Sequence, residues 1–171
     1  NTTNNIYSLY LAKDKLAEDD TILLESDLLF EEKIISDLIN DERKSLAVVD
    51  KYQDWMDGTA VTLSDNDDIL GFYGKKAFRF QDVNNYYKTV NIYKFSKEFS
   101  RDVYIPFLEA YSKAMGDNEY YESVLRVILM LEEQELKALK LIAEKWNEKV
   151  NVQVKAIEEI IFLKNEKEKL N

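Results

Sequence analysis

The segment Thr21-Ile22-Leu23-Leu24-Glu25-Ser26-Asp27-Leu28-Leu29-Phe30-Glu31 constrains the fold more than any other. A short, mostly aliphatic run without polar alternation reads as a strand buried on both faces. It ends in a carboxylate pair and passes at once into a helical pattern, Ile34, Ile35, Leu38 and Ile39, over about Glu31 to Asn40. Leu46-Ala47-Val48-Val49-Asp50 is a second apolar run closed by a carboxylate. Strand, helix and strand in this order form a βαβ unit, which implies a parallel sheet. Ligands of such sheets bind beyond the carboxyl ends of the strands, so Asp27 is the first candidate for chemistry. Its carboxylate is placed to grip a magnesium ion that holds substrate phosphates. The alternative is that Glu25 and Asp27 cap the helix beginning near Glu31, where acidic groups favour the helix dipole.

Composition narrows the chemistry. The 171 residues include no cysteine and no histidine. That excludes disulfides, thiolate nucleophiles, Ser-His and Cys-His arrangements and the usual zinc ligands. Catalysis must then rest on carboxylates, lysines, tyrosines and bound metal, which suits reactions limited by positioning and charge neutralisation, such as phosphoryl transfer. A net charge of −10 argues against nucleic acid or an anionic membrane as partner. No apolar run approaches membrane-spanning length and no basic-then-apolar leader opens the chain, so the expected setting is cytoplasmic.

The remaining segments complete a single α/β domain over residues 1–171. Asn4 or Asn5 caps a helix to about Glu18 carrying Ile6, Leu9, Tyr10 and Leu16. Thr59 to Leu63 and Ile69 to Gly74 flank the polar cluster Ser64-Asp65-Asn66-Asp67-Asp68, which signals a hairpin. The acidic turn reads as solvated surface, as do Glu132-Glu133. Lys88 to Phe95 alternates as a strand. Ser96 to Met115 is helical, with Pro106 suited to the first turn of a second helix. A further helix runs from Glu119 to about Leu131 under an Asn118 cap, and Glu135 to Ile142 leans to strand. An amphipathic helix over 152–170 closes the chain.

Three ordered blocks carry a resemblance: Leu24 to Glu31, Val49-Asp50-Lys51-Tyr52-Gln53-Asp54-Trp55-Met56-Asp57-Gly58-Thr59, and Tyr87 to Ser96. With Asn118-Glu119-Tyr120-Tyr121-Glu122 and Lys145-Trp146, they resemble the bacterial nucleotidyltransferases that activate phosphocholine or aminoethylphosphonate with CTP. Members of that family are often fused to an aminotransferase. The resemblance implies a Rossmann-like, mostly parallel sheet with a β-hairpin insertion and flanking helices. It implies magnesium bound at Asp27, and attack of the acceptor phosphate or phosphonate on the α-phosphorus of CTP. Trp55, Asp57, Tyr121 and Glu148 fall in segments that surround the substrate, where aromatic rings and carboxylates cage a methylated cation. For Trp55 and Tyr121 the alternative is core packing.

Two departures fall on catalytic parts. The family opens with a Gly-rich phosphate loop, whereas none of the four glycines here, Gly58, Gly71, Gly74 and Gly116, lies in such a loop. The expected fold is therefore truncated at its N-terminus. The second metal-binding aspartate of the family falls on Val150, which cannot coordinate magnesium. An excised domain, or alternatively a degenerate copy, is expected to bind magnesium weakly or not at all and to lack transfer activity by itself. The competing reading is a non-catalytic acceptor-binding or oligomerisation module. A sheet lacking its first strand exposes an edge, so a homo-oligomer is expected.

Overall fold

The computed structural model describes residues 3–131 and 136–141. The chain divides into a unit Asn1–Lys140, to which nearly all of these belong, and a unit Leu141–Asn171. The expected helix over 152–170, together with Glu132-Glu133, Trp146, Glu148 and Val150, lies outside the described residues.

Helix α1 (Asn5–Leu16) starts where the Asn4 side chain accepts the Asn5 N–H at 2.8 Å, and it buries Ile6, Leu9 and Leu16. Strand β1 (Thr21–Leu24), helix α2 (Glu32–Asn40) and strand β2 (Leu46–Lys51) follow as the sequence indicates. Strands β3 (Ala60–Leu63) and β4 (Ile69–Tyr73) form the hairpin. Strand β5 (Tyr87–Phe95) is the longest described. The helical stretch beyond it has three parts: α3 (Lys97–Phe99), a π-helical turn (Ser100–Tyr104) and α4 (Ile105–Met115). Pro106 sits in the first turn of α4, where its missing N–H costs nothing. Helix α5 (Glu122–Ile128) and strand β6 (Lys137–Lys140) complete the unit.

The six strands form one sheet in the order β4-β3-β5-β2-β6, with β1 also on β5. β1, β2, β3 and β6 run the same way, as a mostly parallel sheet requires, but β5 runs against them from the middle. Among the described strands, only β2 and β6 pair in parallel. The βαβ unit is real in direction yet split, because β5, which follows the whole hairpin in sequence, lies between β1 and β2. Periodicity reports which residues extend; it carries no record of which distant strand intervenes.

The core lies on the sheet face bearing Ala47, Val49, Val61, Tyr93 and Phe95, against Ile6 and Leu9 of α1, Leu108 of α4 and Leu125 and Ile128 of α5. Leu46 and Val48 are fully buried outside that cluster, so β2 is covered on both faces. That accounts for its unbroken apolar run. β1 departs from expectation: its residues are half-buried or exposed. α5 begins three residues later than its Asn118 signal, because Tyr121 rather than Asn118 stands at its N-cap.

The acidic turn is also not merely solvated. Asp67 adopts φ 64° and pairs with Lys140, while Asp68 pairs with Lys137 and accepts the Ser64 hydroxyl at 3.0 Å. These bonds tie the hairpin to β6.

Leu108 is 0% exposed at the meeting of α4 with the sheet. Leu108→Ala is expected to lower unfolding free energy in urea by about 2–5 kcal/mol. Ile39→Ala, at a residue 64% exposed on α2, is expected to cost under about 0.5 kcal/mol. Equal losses would contradict this assignment of the core.

Candidate functional site

A cleft of about 1300 Å³ opens beyond the carboxyl end of β1. Its walls are α1, the loop Glu25–Asp27, the turn Asp57–Thr59, the loop after β4, the middle of β5 and the start of α5. The site is organised by one irregularity of the sheet. The β2·β5 register shifts between Ala47 and Val49, and Asn91 of β5 takes φ 58°. Such a bulge re-aims a side chain that a regular strand would commit to the ladder. Asn91 Nδ2 donates to Glu25 Oε2 at 2.8 Å. Asn5 Nδ2 donates to Glu25 Oε1 at 3.0 Å, and Asn5 Oδ1 accepts the Tyr121 N–H at 3.0 Å. Asn5 and Glu25 thereby join α1, the end of β1, β5 and the start of α5 at the cleft wall.

Two charged groups lie deep beside this junction. Glu122, the first residue of α5, is 5% exposed, and its Oε2 finds no hydrogen-bond partner among the described residues. Burial pushes its carboxyl up to about 7, with the Glu25 charge adding to the rise and Lys88 opposing it. Lys88, on β5, is half-buried; desolvation holds its ammonium below the ordinary lysine range, against the pull of Glu122, Glu25 and Asp57. Its Nζ donates to the Thr89 carbonyl. Gly58, at φ 101°, makes room for it: a Cβ there would stand 3.2 Å from Lys88 Cε and Nζ.

Of the sequence-predicted residues, Asp27, Asp57 and Tyr121 line the cleft. Asp27 is exposed in the turn after β1. The α2 N-cap is Glu31, and no side chain caps it, which disposes of the capping alternative for Asp27. Asp57 is exposed; the Gly58 N–H, at 2.8 Å, and then Lys75 hold its carboxyl below the usual carboxylate range. Tyr121 is 2% exposed, its ring meets Tyr93 edge-on at 5.7 Å, and its hydroxyl has no partner among the described residues. Burial drives that phenol well above its ordinary range. Trp55 is 68% exposed and not on the cleft lining, so its ring does not face the crevice as expected.

Lys88, Asn91 and Glu122 were given no role by the sequence, and Asn5 was expected only as a possible helix cap. Asn91 had a signal: an amide within a β-branched and aromatic strand is disfavoured and marks a bulge. Glu122 lay within the block Asn118-Glu119-Tyr120-Tyr121-Glu122 that carries part of the resemblance, where only Tyr121 was given a role. Among the described residues, no group of three or more acidic side chains is gathered to hold a metal ion. No helix among the described residues is long and apolar enough to cross a membrane.

No known family profile matches the sequence, and no curated protein matches it. Solved structures do match by fold. CTP:phosphocholine cytidylyltransferase from Streptococcus pneumoniae aligns over 82% of this chain and 56% of its own, with a TM-score of 0.56 at 16% identity. A putative glucose-1-phosphate thymidylyltransferase from Bacillus anthracis aligns over 83% and 55%, with a TM-score of 0.56 at 12% identity. The inositol-1-phosphate CTP transferase from T. maritima aligns over 81% and 52%, with a TM-score of 0.56 at 17% identity. The chain spans little more than half the length of these structures, and the shared feature is the nucleotidyltransferase fold.

Two outcomes test the site's electrostatics and backbone. Glu122 binds its proton more tightly folded than unfolded, since its value lies above the ordinary 4.5. Stability is therefore expected to fall by up to about 3 kcal/mol relative to Glu122→Gln as pH rises from 4.5 to about 7, then to run level. Denaturant unfolding of both proteins across pH 4.5 to 8 reads this; a constant difference would refute burial of the carboxyl. Gly58→Ala is expected to cost about 1–2 kcal/mol, from the positive φ and the approach to Lys88, in the same assay.

Proposed function

We propose that the cleft is the acceptor-binding part of a nucleotidyltransferase-type site, taking a small phosphorylated amine or an aminoalkyl phosphonate. The observation that carries the reading is the presence of a desolvated lysine and a buried glutamate, whose Oε2 has no hydrogen-bond partner among the described residues, in one cleft at the end of β1. A ligand with an anion at one end and a cation at the other meets opposite charges in a low-dielectric setting, where each contact counts for more than in water. Lys88 serves the phosphoryl or phosphonyl group. Glu122 and Tyr121 serve the amine. The fold likeness supports cytidylyl transfer from CTP as the parent reaction, in which an acceptor oxygen attacks the α-phosphorus and pyrophosphate leaves.

Asp27 suits magnesium held chiefly by substrate phosphates and water, since its carboxylate is exposed on the cleft wall. Bound there, the ion would neutralise phosphate charge. The chain's own groups position the acceptor: Asn5 and Asn91 hold Glu25 on the wall, and Gly58 admits the Lys88 side chain to the cleft.

Binding tests the reading without requiring turnover. Phosphoethanolamine titrated into the full chain by calorimetry is expected to bind, and Lys88→Met to weaken it about ten-fold, as loss of a charged hydrogen-bond donor implies. Magnesium added with the ligand is expected to raise the melting temperature beyond the ligand alone, and Asp27→Asn to remove that increment. Unchanged affinity in Lys88→Met would defeat the proposed orientation.

A further inference from the structure

We infer that Asp57-Gly58 is a site of spontaneous isoaspartate formation, and that the rearranged turn loosens the cleft wall where Gly58 meets Lys88. Asp57 is the one aspartate or asparagine in the sequence that a glycine follows. The reaction is intramolecular and does not depend on what the cleft binds.

The main-chain nitrogen of Gly58 attacks Cγ of Asp57 and closes a five-membered succinimide. The new N–Cγ bond replaces the bond from Cγ to its hydroxyl, which takes up the amide proton and departs as water. Water then opens the ring. Opening at the main-chain carbonyl of Asp57 leaves the chain joined through Cγ, with one additional carbon in the backbone and no net change in composition. No oxidant, cofactor or enzyme enters the balance.

The turn meets the requirements of this step. The Gly58 N–H donates to Asp57 Oδ1 at 2.8 Å, so the nitrogen already lies beside Cγ. Among the described residues that is the hydrogen bond this N–H makes, and no helix or ladder holds the nitrogen back. The Asp57 side chain is 80% exposed, which admits the water that opens the ring. Gly58 carries no Cβ to shield its nitrogen. Asp19 and Asp50 make the same contact with the following N–H, at 2.8 and 2.7 Å, but those nitrogens belong to Asp20 and Lys51, whose side chains crowd the approach. The Gly58 N–H, Lys75 and Lys88 favour the ionised Asp57 carboxylate, and only the protonated acid loses water in this way. The change therefore accumulates slowly, as the protein ages.

Its effect is set by what the turn touches. A Cβ on Gly58 would stand 3.2 Å from Lys88 Cε and Nζ, so the glycine has no room to move toward the lysine. The next residue, Thr59, accepts both the N–H and the hydroxyl of Thr89 at its carbonyl, each at 3.2 Å. A backbone carbon inserted between Asp57 and Gly58 displaces the turn from these two contacts with β5.

The full chain, aged at physiological temperature, is mapped by peptide mass spectrometry with electron-transfer fragmentation, which cleaves the added backbone carbon and so locates isoaspartate. Isoaspartate at position 57 is expected to accumulate at least about ten-fold faster than at Asp19 or Asp50. Gly58→Ala is expected to slow it about ten-fold. Asp57→Glu, which keeps the carboxylate but would have to close a six-membered ring, is expected to abolish it. The aged wild type is expected to melt several degrees below the fresh protein, and aged Asp57→Glu to melt with its own fresh sample. Isoaspartate at position 57 no more abundant than at Asp19 and Asp50 would overturn the assignment of the site. Accumulation there with an unchanged melting temperature, or an equal loss in aged Asp57→Glu, would overturn the effect on the cleft wall.

Discussion

Strand β5 is the element through which the sheet and the cleft are connected. It pairs with β1 through Ile92–Phe95, with β3 through Tyr87 and Lys88, and with β2 along most of its other edge. One nine-residue strand thus holds the two halves of the βαβ unit and the hairpin in a common frame. The bulge at Asn91 falls between the stretch that pairs with β3 and the stretch that pairs with β1. The backbone cost of a left-handed asparagine is therefore carried by ladders on both sides of it. Strain of this kind persists only where surrounding structure determines it. Here it turns an amide onto Glu25 and sets one wall of the cleft.

The charges in the cleft follow from where that wall stands. Lys88 directly precedes Thr89, which is fully buried, so the strand commits its lysine to the margin of the interior. Its long stem lets the ammonium leave the apolar layer for the cleft, where Gly58 leaves space. Glu122 has no such reach. It opens α5 directly after Tyr121, and the Tyr121 N–H is fixed by Asn5 while its carbonyl accepts the Tyr104 hydroxyl at 3.2 Å. The start of α5 is pinned on both sides, which fixes the Glu122 Cα where its side chain is buried. Its raised carboxyl follows first from that burial, with the Glu25 charge adding to it.

The elements of regular pattern were legible in the sequence. The Asn4 cap, the buried run of β2, the hairpin around its polar turn and the place of Pro106 each follow from local rules that the fold obeys. Strand adjacency was not legible, because β5 enters between β1 and β2 from a distance that no periodicity encodes. The candidate site was legible in part. Asp27 lines the cleft just past a strand end that the pattern had located, whereas Asp57 and Tyr121, which also line it, were named through the resemblance. Trp55 was misplaced because an aromatic near a turn has no preferred side until the turn's dihedrals are known. The acidic turn was read as solvated because its partners, Lys137 and Lys140, lie far along the chain, the first of them 69 residues beyond Asp68.

Glu122 and Trp55 show why aromatic content alone is a poor guide to cation recognition. An aromatic ring gains from burial whether or not a ligand exists, so its presence inside a fold is explained by packing. Tyr93, Tyr104 and Phe95 pack in this way, each tyrosine ring against the phenylalanine. A buried carboxylate gains nothing from packing and is disfavoured by desolvation. Its retention at a cleft wall, with Oε2 lacking a hydrogen-bond partner among the described residues, is not explained by packing.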